Sequence, residues 1–314
     1  MQKLNIMLFR DGRPGHEKQS LGIIGALRRY TDVAVAEFQV KQEPWWSLLG
    51  AHARYLLKIE RSPLKENDID LIIGTGSRTH IPMLAAARAC GAKSVTCMTP
   101  ALHLIRYFDL CCVPVHDSIS DSDTVFKTVG PPNIARSSNQ HEADRALILV
   151  GGVDEKSHVW DNGQLIKALS TILEEARRWT VSTSPRTPEH TENLIGELVA
   201  NRNNVEFYPF SATPTGWVEE QYRINETVWI TGDSISMVYE ALTAGCWVGV
   251  IPVQWKKADN KFKRSLAYLA EKKLIVEFDS YQPGKTFIAK REPLNEADRC
   301  AQEILSRWWP TRLP

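Results

Sequence analysis

Glycines alternate with polar side chains between Asp11 and Gln19, a segment that includes Gly12, Gly15 and His16. Glycines let the backbone approach a ligand closely, and the start of a helix favours anions. His16 could act as a base or contact a substrate, and it could equally cap a turn. The spacing matches neither the dinucleotide fingerprint nor the P-loop, which disfavours hydride transfer and P-loop hydrolysis.

The most specific segment is 231–241, where an apolar strand leads through a small hydroxyl-rich turn into a helix. Backbone amides there, with Ser234 or Ser236, could cradle a diphosphate. Glu240 follows Ser236 by one helical turn, so the two share a face. Its carboxylate could accept both hydroxyls of a ribose, as acidic residues do in other nucleotide sites. The alternative is a capping box followed by a surface glutamate.

Two further loops follow apolar strands and carry candidate ligands. Gly151 and Gly152 end the first, and adjacent glycines there indicate either close backbone approach or a simple tight turn. The second contains Ser184, Arg186 and Thr187. Arginine offers a planar fork for phosphate or carboxylate, although a proline-rich surface loop would contain the same residue types.

The elements that would position these loops alternate along the chain. Apolar strands and amphipathic helices follow one another, which predicts right-handed crossovers and parallel sheets. The predicted elements include a helix over 165–179 and strands at Val205–Tyr208 and Trp247–Ile251. The polar stretch 131–145 interrupts this alternation, which then restarts. We therefore expect two α/β domains, 1–137 and 138–314, with the last helix free to cross back. Ligands bind at the carboxyl ends of strands in such sheets, where the candidate loops lie.

Composition excludes several classes of protein. The chain has 314 residues, 38 Lys and Arg against 37 Asp and Glu, and 43% hydrophobic residues. A net charge of +1 disfavours a nucleic-acid-binding protein. There is no apolar run long enough for a transmembrane helix, and the apolar N-terminal stretch is too short for a signal peptide. The six cysteines lack metal-ligand spacing and predict buried thiols in a reducing compartment, so we expect a cytoplasmic protein without a bound metal.

One segment, 43–58, is apolar, aromatic and basic, with Trp45 and Trp46 near its start. It could form an interfacial helix that contacts anionic lipid at the inner face of the membrane. A helix packed on the sheet, or one that shapes an acceptor site, explains the same pattern.

The motifs together resemble a known architecture and, more closely, one family. Segment 232–240 resembles the nucleotide-sugar site of the glycosyltransferase B class, which has two Rossmann-like domains facing a cleft. Segments 11–19, 183–188 and 231–237 resemble the mitochondrial fission (elongated-mitochondria) family over essentially the whole chain. The resemblance implies an acceptor-side N-terminal domain and a C-terminal domain that binds a nucleotide sugar.

Site residues follow from this resemblance. His16 and Asp11 would be catalytic, although Arg13 and Pro14 interrupt the glycine loop. Glu240 would hold the ribose, and Asn260 could close over the donor or lie in a surface loop. The other donor-binding residues would be Gly12, Gly15, Gly152, Ser184, Arg186, Thr187, Gly232, Asp233, Ser234, Ser236 and Met237.

Three functions are consistent with these features. The first is metal-independent, cofactor-free sugar transfer from a nucleotide-diphosphate sugar to a lipid-linked or envelope glycan acceptor, with amides and the helix dipole stabilising the leaving diphosphate. The second is epimerisation of a nucleotide sugar, for which Asp11, His16 and Asp233 are the acid–base candidates. The third is a non-catalytic scaffold for membrane fission, as the family name implies.

Overall fold

The computed structural model describes residues 3–41, 50, 54–55, 57, 62, 68–117, 119–283 and 293–314. The chain divides into two compact units. Unit 1 comprises Met1–Ile134 together with Asn295–Pro314, and unit 2 comprises Ala135–Leu294. The last helix therefore belongs with unit 1, which agrees with the expectation that the last helix of the range 138–314 is free to cross back.

Unit 1 contains a parallel sheet with the strand order β2-β1-β3-β4-β5-β6 in the described part of the chain. Its inner strands are apolar on both faces because helices cover both sides. The chain reverses its direction of winding between β1 and β3, so the loops after these two strands are neighbours. The strands are β1 (Leu4–Arg10), β2 (Val33–Gln39), β3 (Leu71–Thr75), β4 (Lys93–Cys97), β5 (Leu110–Pro114) and β6 (Val125–Thr128).

Two helices follow strand ends in this sheet. Helix α1 (Pro14–Leu27) starts after β1 with a proline in its first turn, where the missing amide costs nothing. Helix α2 (Ser77–Cys90) follows β3 and ends at Gly91, whose left-handed backbone suits a glycine. Short 3₁₀ turns at Leu102–Tyr107 and Val115–Asp117 follow the next strands.

Unit 2 contains a parallel sheet in the Rossmann order, β10-β9-β7-β11-β12-β14 among the described residues. The winding reverses between β7 and β11, which places the loops after these strands side by side. A small antiparallel pair, β8 with β13, joins the loops that follow β7 and β12. The strands are β7 (Glu142–Leu149), β8 (His158–Val159), β9 (Arg178–Ser182), β10 (Val205–Tyr208), β11 (Asn225–Thr231), β12 (Trp247–Ile251), β13 (Gln254–Trp255) and β14 (Ile275–Glu277).

The described helices of unit 2 connect its strands. They are α3 (Asn162–Ile172), α4 (Glu189–Val199), α5 (Trp217–Ile224), α6 (Ile235–Ala244) and α7 (Lys261–Glu271). The last helix, α8 (Glu296–Trp308), packs its apolar face into the core of unit 1 beside α1. The two Rossmann-like domains predicted from the sequence are thus confirmed.

One predicted helix is shorter than expected. The apolar spacing predicted a helix over 165–179, but α3 ends at Ile172. Residues 178–182 instead form β9. Trp179 in this strand is 1% exposed and lies opposite Ala146 of β7 on one side and Val205 of β10 on the other. Apolar residues next to a turn fit a helix or a buried strand equally well, and only the sheet partners decide between them.

The cysteines behave as expected. All six are free thiols, and five of them are buried. Burial raises the pKa of Cys111 to about 12, which keeps that thiol protonated and unreactive.

Candidate functional site

A histidine–aspartate pair lies at the carboxyl end of β1 in unit 1. Nδ1 of His16 is 2.7 Å from Oδ2 of Asp11. The Asp11 side chain is 1% exposed, whereas the His16 side chain is 22% exposed. The Arg13 amide donates to the other Asp11 oxygen at 3.1 Å and so fixes the carboxylate. The sequence placed both residues in the catalytic site, and the fold brings them into contact.

Glycines surround this pair for different reasons. Gly76, after β3, has φ +103°, and a Cβ there would lie 2.4 Å from His16 Nδ1 and 2.6 Å from Asp11 Oδ2. Gly12 also has positive φ, +80°, and its amide donates to Glu17 at 3.1 Å. A Cβ on Gly15 would meet nothing within 4 Å. Gly76 is therefore required by the packing around the pair, and it is not among the site residues that the resemblance implies.

This geometry suits a general base. A neutral imidazole that donates from Nδ1 to a carboxylate carries its lone pair on Nε2. The buried carboxylate then orients the ring and stabilises the imidazolium that forms when Nε2 takes a proton. The pair can therefore deprotonate a hydroxyl presented at the partly exposed face of His16.

Three loops meet at the carboxyl ends of β7, β9 and β11 in unit 2, and we call this region the unit 2 junction. Arg186 reaches across from the β9 loop, and its Nη2 lies 2.7 Å from Asp233 Oδ2 and 3.4 Å from Ser234 Oγ. Its Nη1 donates to the Gly152 carbonyl at 3.2 Å. The Gly151 amide donates to Thr231 at 2.7 Å. The predicted ligands from all three loops are thus brought together.

The β9 loop is held by its own hydroxyls. The Ser184 amide donates to Thr187 Oγ1 at 2.9 Å, and the Arg186 amide donates to Ser184 Oγ at 3.3 Å. The Thr187 hydroxyl donates to the Gly151 carbonyl. Ser184 and Thr187 therefore build the loop that presents Arg186.

Helix α6 begins at this junction. Ser234 occupies the N-cap position, yet no side-chain cap bond forms within the described helix start. The first amides of a helix have no partner inside the helix, and uncapped amides bind anions. Ser236 is exposed and Met237 half-buried at this start. The Gly232 amide, by contrast, donates to the Ile251 carbonyl at 2.8 Å.

Two predicted donor ligands have other surroundings. Glu240 is 5% exposed within α6. The pKa of Tyr222 is raised, first by the burial of Tyr222 and then by the negative charge of Glu240. Asn260 is the N-cap of α7, where its side chain accepts from the amides of Phe262 at 2.7 Å and Lys263 at 3.1 Å. Their contacts with a donor stay predictions.

Two residues near the unit 2 junction carried no sequence signal. His158 is 2% exposed, and its Nε2 lies 3.1 Å from the Gly152 carbonyl. Phe210 is 46% exposed at the carboxyl end of β10, and its amide donates to Thr183 at 2.8 Å. Neither lies in a glycine-rich motif, so only strand adjacency could have found them.

The sequence also raised membrane contact and metal binding. Trp45 and Trp46 lie outside the described residues. No described helix is long and apolar enough to span a membrane. The described ranges also contain no group of three or more His, Cys, Asp and Glu residues suited to a metal ion.

A sequence profile assigns the family. The profile described as mitochondrial fission ELM1 matches residues 14–308. The chain belongs to the mitochondrial fission ELM1 family. The match includes most of segment 11–19 and all of the unit 2 junction. No curated protein sequence matches this member of the family.

Solved structures similar to this family member share its fold. The UDP-GlcNAc 2-epimerase from Methanocaldococcus jannaschii has a TM-score of 0.52 at 14% identity, covering 97% of this chain and 100% of its own. The glycosyltransferase SnogD from Streptomyces nogalater has 0.51 at 13%, covering 97% and 96%. UGT2 from Phytolacca americana, complexed with UDP-2fluoro-glucose and pterostilbene, has 0.51 at 11%, covering 98% and 91%. At these identities the likeness establishes the glycosyltransferase B fold.

Proposed function

We propose that the protein is a glycosyltransferase that binds a nucleoside diphosphate sugar in unit 2 and uses His16 as its base. The carrying observation is the junction at the start of α6. An arginine, a serine hydroxyl and uncapped helix amides meet there at the switch point of a Rossmann-ordered sheet. Each of these groups binds phosphate oxygens, and none needs a metal ion. UDP is the donor nucleotide to test first, because four of the similar solved structures contain UDP or a UDP-sugar.

The two units have distinct tasks in this proposal. Arg186 and the start of α6 neutralise the leaving diphosphate, whose negative charge grows as the glycosidic bond breaks. His16, oriented by Asp11, takes the proton from the attacking hydroxyl. The acceptor is a hydroxyl-bearing glycan or lipid-linked sugar. Glu240 would bind the ribose and Asn260 would close over the donor, as the sequence predicts.

Titration calorimetry with UDP tests donor binding. Removing one charged hydrogen-bonding group costs about 1.5–3 kcal/mol, so we expect Arg186→Ala to weaken binding roughly 10- to 150-fold. Arg178→Ala is the matched control because Arg178 opens the same strand, β9, and pairs with Glu142 and Asp144 at the opposite end of the sheet. We expect that variant to bind UDP normally. If wild type binds none of UDP, GDP, ADP or CDP, the proposal is wrong.

Turnover measurements distinguish the loss of the base from the loss of donor binding. We expect His16→Ala to slow UDP release from a UDP-sugar in the presence of acceptor by about 10²- to 10⁴-fold, the usual contribution of a general base. UDP affinity should not change, and the exposed His190→Ala should leave both quantities unchanged. EDTA should have no effect. Conversion of the sugar without any acceptor would instead indicate an epimerase.

A further inference from the structure

Asp233 is placed so that it acts on a neighbouring side chain rather than on a ligand. We propose that it is a positioning residue, whose buried carboxylate holds Arg186 and the Gly152 amide in the arrangement that receives the diphosphate. This inference rests on the proposed function of the same junction. It differs from the sequence-based expectation that Asp233 itself contacts the donor.

Burial separates the two members of the ion pair. The Asp233 side chain is 2% exposed, whereas the Arg186 side chain is 43% exposed. A carboxylate is an acceptor only and carries a negative charge, so it would repel a phosphate group. The arginine therefore faces solvent while the carboxylate lies beneath it.

One carboxylate oxygen joins all three loops. Oδ2 of Asp233 accepts from the Gly152 amide at 3.0 Å, from Arg186 Nη2 at 2.7 Å and from Ser234 Oγ at 3.3 Å. Charge-assisted hydrogen bonds of this kind are stronger and more directional than neutral ones. The Gly152 amide is thus already satisfied by protein, so it is Arg186 that remains to meet an anion.

The adjacent glycines Gly151 and Gly152 leave room for the Asp233 carboxylate and the Arg186 backbone. A Cβ on Gly151 would lie 2.2 Å from Asp233 Oδ2 and 2.4 Å from Oδ1, so any side chain there would displace the carboxylate. A Cβ on Gly152 would lie 2.1 Å from the Arg186 carbonyl carbon. The Gly151–Gly152 pair therefore accommodates the ion pair, whereas the sequence suggested a ligand or a simple turn.

The test compares ligands that differ only in phosphate. Asp233→Asn keeps the shape and an acceptor for the Gly152 amide but removes the charge that orients Arg186. We expect it to weaken binding of UDP and of inorganic pyrophosphate by roughly tenfold or more, as loss of charge-assisted bonds does. Binding of uridine should not change, because uridine lacks the phosphates that Arg186 meets. A merely destabilised junction would weaken all three ligands alike.

A double variant tests whether Asp233 affects UDP binding through Arg186. If Asp233 acts through Arg186, then Arg186→Ala/Asp233→Asn should bind UDP no more weakly than Arg186→Ala alone. The double variant also buries no unpaired charge, whereas Arg186→Ala alone leaves the buried Asp233 carboxylate without its arginine, so a loss of stability confined to Arg186→Ala is recognised by comparing the two. Asp144→Asn is the matched control, since Asp144 pairs with Arg178 at the same 2.7 Å distance but at the amino end of the sheet.

Several outcomes would overturn the inference. Additive losses in the double variant would mean that Asp233 contacts the ligand itself. Tighter UDP binding by Asp233→Asn would mean that the carboxylate competes with phosphate for Arg186. Unaltered UDP binding by Asp233→Asn, with wild type binding UDP, would contradict this inference alone. No binding of any nucleoside diphosphate by wild type would contradict both proposals.

Discussion

At the scale of single residues, both units use the same device at their strand ends. A buried aspartate holds a more exposed partner, His16 in unit 1 and Arg186 in unit 2. A glycine from the loop after the neighbouring strand lies against each carboxylate, Gly76 in one case and Gly151 in the other. Side chains at these glycine positions would displace the carboxylates. The glycines thus leave the space in which each carboxylate meets its partner.

A pair of glycine substitutions tests this packing in unit 1. Gly76 and Gly91 both have positive φ, so alanine at either should cost about 1–3 kcal/mol of unfolding free energy. A Cβ on Gly91 meets nothing within 4 Å, whereas one on Gly76 meets the His16–Asp11 pair. We therefore expect Gly76→Ala to abolish turnover and Gly91→Ala to retain it, measured as UDP release beside urea unfolding. Equal turnover in the two folded variants would contradict the role of Gly76.

A buried carboxylate on α8 should make stability depend on pH. Burial raises the pKa of Glu296 above its ordinary value of 4.5, although Arg299 and the Val129 amide bind its oxygens. The native state then holds this proton more tightly than the unfolded state. Glu296 therefore costs stability above its native pKa, and the cost disappears below the unfolded pKa.

We expect Glu296→Gln to increase the free energy of unfolding near pH 7, because it removes the buried charge. The gain over wild type should shrink as pH falls through the native pKa of Glu296 toward about 4. Urea unfolding at several pH values measures it. Glu271→Gln, at an exposed position, should show little change at any pH. A gain for Glu296→Gln that grows toward acid pH would contradict this account.

At the scale of elements, the described helices differ in how their first turns are capped. Side-chain oxygens of Asp161, Asn260 and Asn295 cap α3, α7 and α8. Ser234 is also a favoured capping residue, but its hydroxyl instead contacts Asp233 and Arg186. Helix α6 thus begins without a side-chain cap among the described residues, as α1, α2, α4 and α5 also do. What distinguishes its start is that Arg186 lies within hydrogen-bond distance of the capping-position hydroxyl.

The cap at Asn260 can be separated from its predicted role in donor closure. Losing an N-cap side chain costs about 1 kcal/mol, so we expect Asn260→Ala to lower the free energy of unfolding by that amount. Asn260→Asp should restore the cap bonds to Phe262 and Lys263 and the lost stability. If UDP-sugar affinity also falls in the stable Asp variant, then Asn260 contacts the donor as well. Calorimetry on both variants makes the comparison.

At the scale of the whole molecule, the chain order of the elements differs from their grouping. Helix α8 follows unit 2 in sequence but fills the core of unit 1. Its buried apolar residues pack with α1 and the inner strands, and they are Ala297, Cys300, Ala301, Ile304 and Leu305. Unit 1 thus depends on the last segment of the chain for one side of its sheet.

This dependence predicts where a core substitution on α8 acts. Ile304→Ala should cost about 2–5 kcal/mol, as large-to-small changes in packed cores do. Hydrogen exchange should accelerate in β1 and β3 of unit 1 and not in β7 and β11 of unit 2. Ser306→Ala, on the exposed face of the same helix, should change neither. Faster exchange confined to unit 2 would contradict the assignment of α8 to unit 1.

Local residue patterns specified most of the strands and helices and the loops that follow the strands. Strands at Val205–Tyr208 and Trp247–Ile251 have the predicted bounds, because short apolar runs between turn residues specify buried strands. The glycine and hydroxyl motifs also lie directly after strands, as the sequence predicts. The same local pattern extended one helix too far, since apolar residues beside a turn fit helix or strand alike.

Which side chains from distant segments meet depended instead on the packing of the folded chain. Asp11 and His16 are neighbours in sequence, so their pairing was within reach of a local reading. Arg186 and Asp233 lie far apart in the chain, and they meet because the strand order sets β7 between β9 and β11. The same order brings Gly151 against Asp233, and core packing brings α8 onto unit 1. Such contacts depend on which faces bury together, and residue spacing along the chain does not encode that choice.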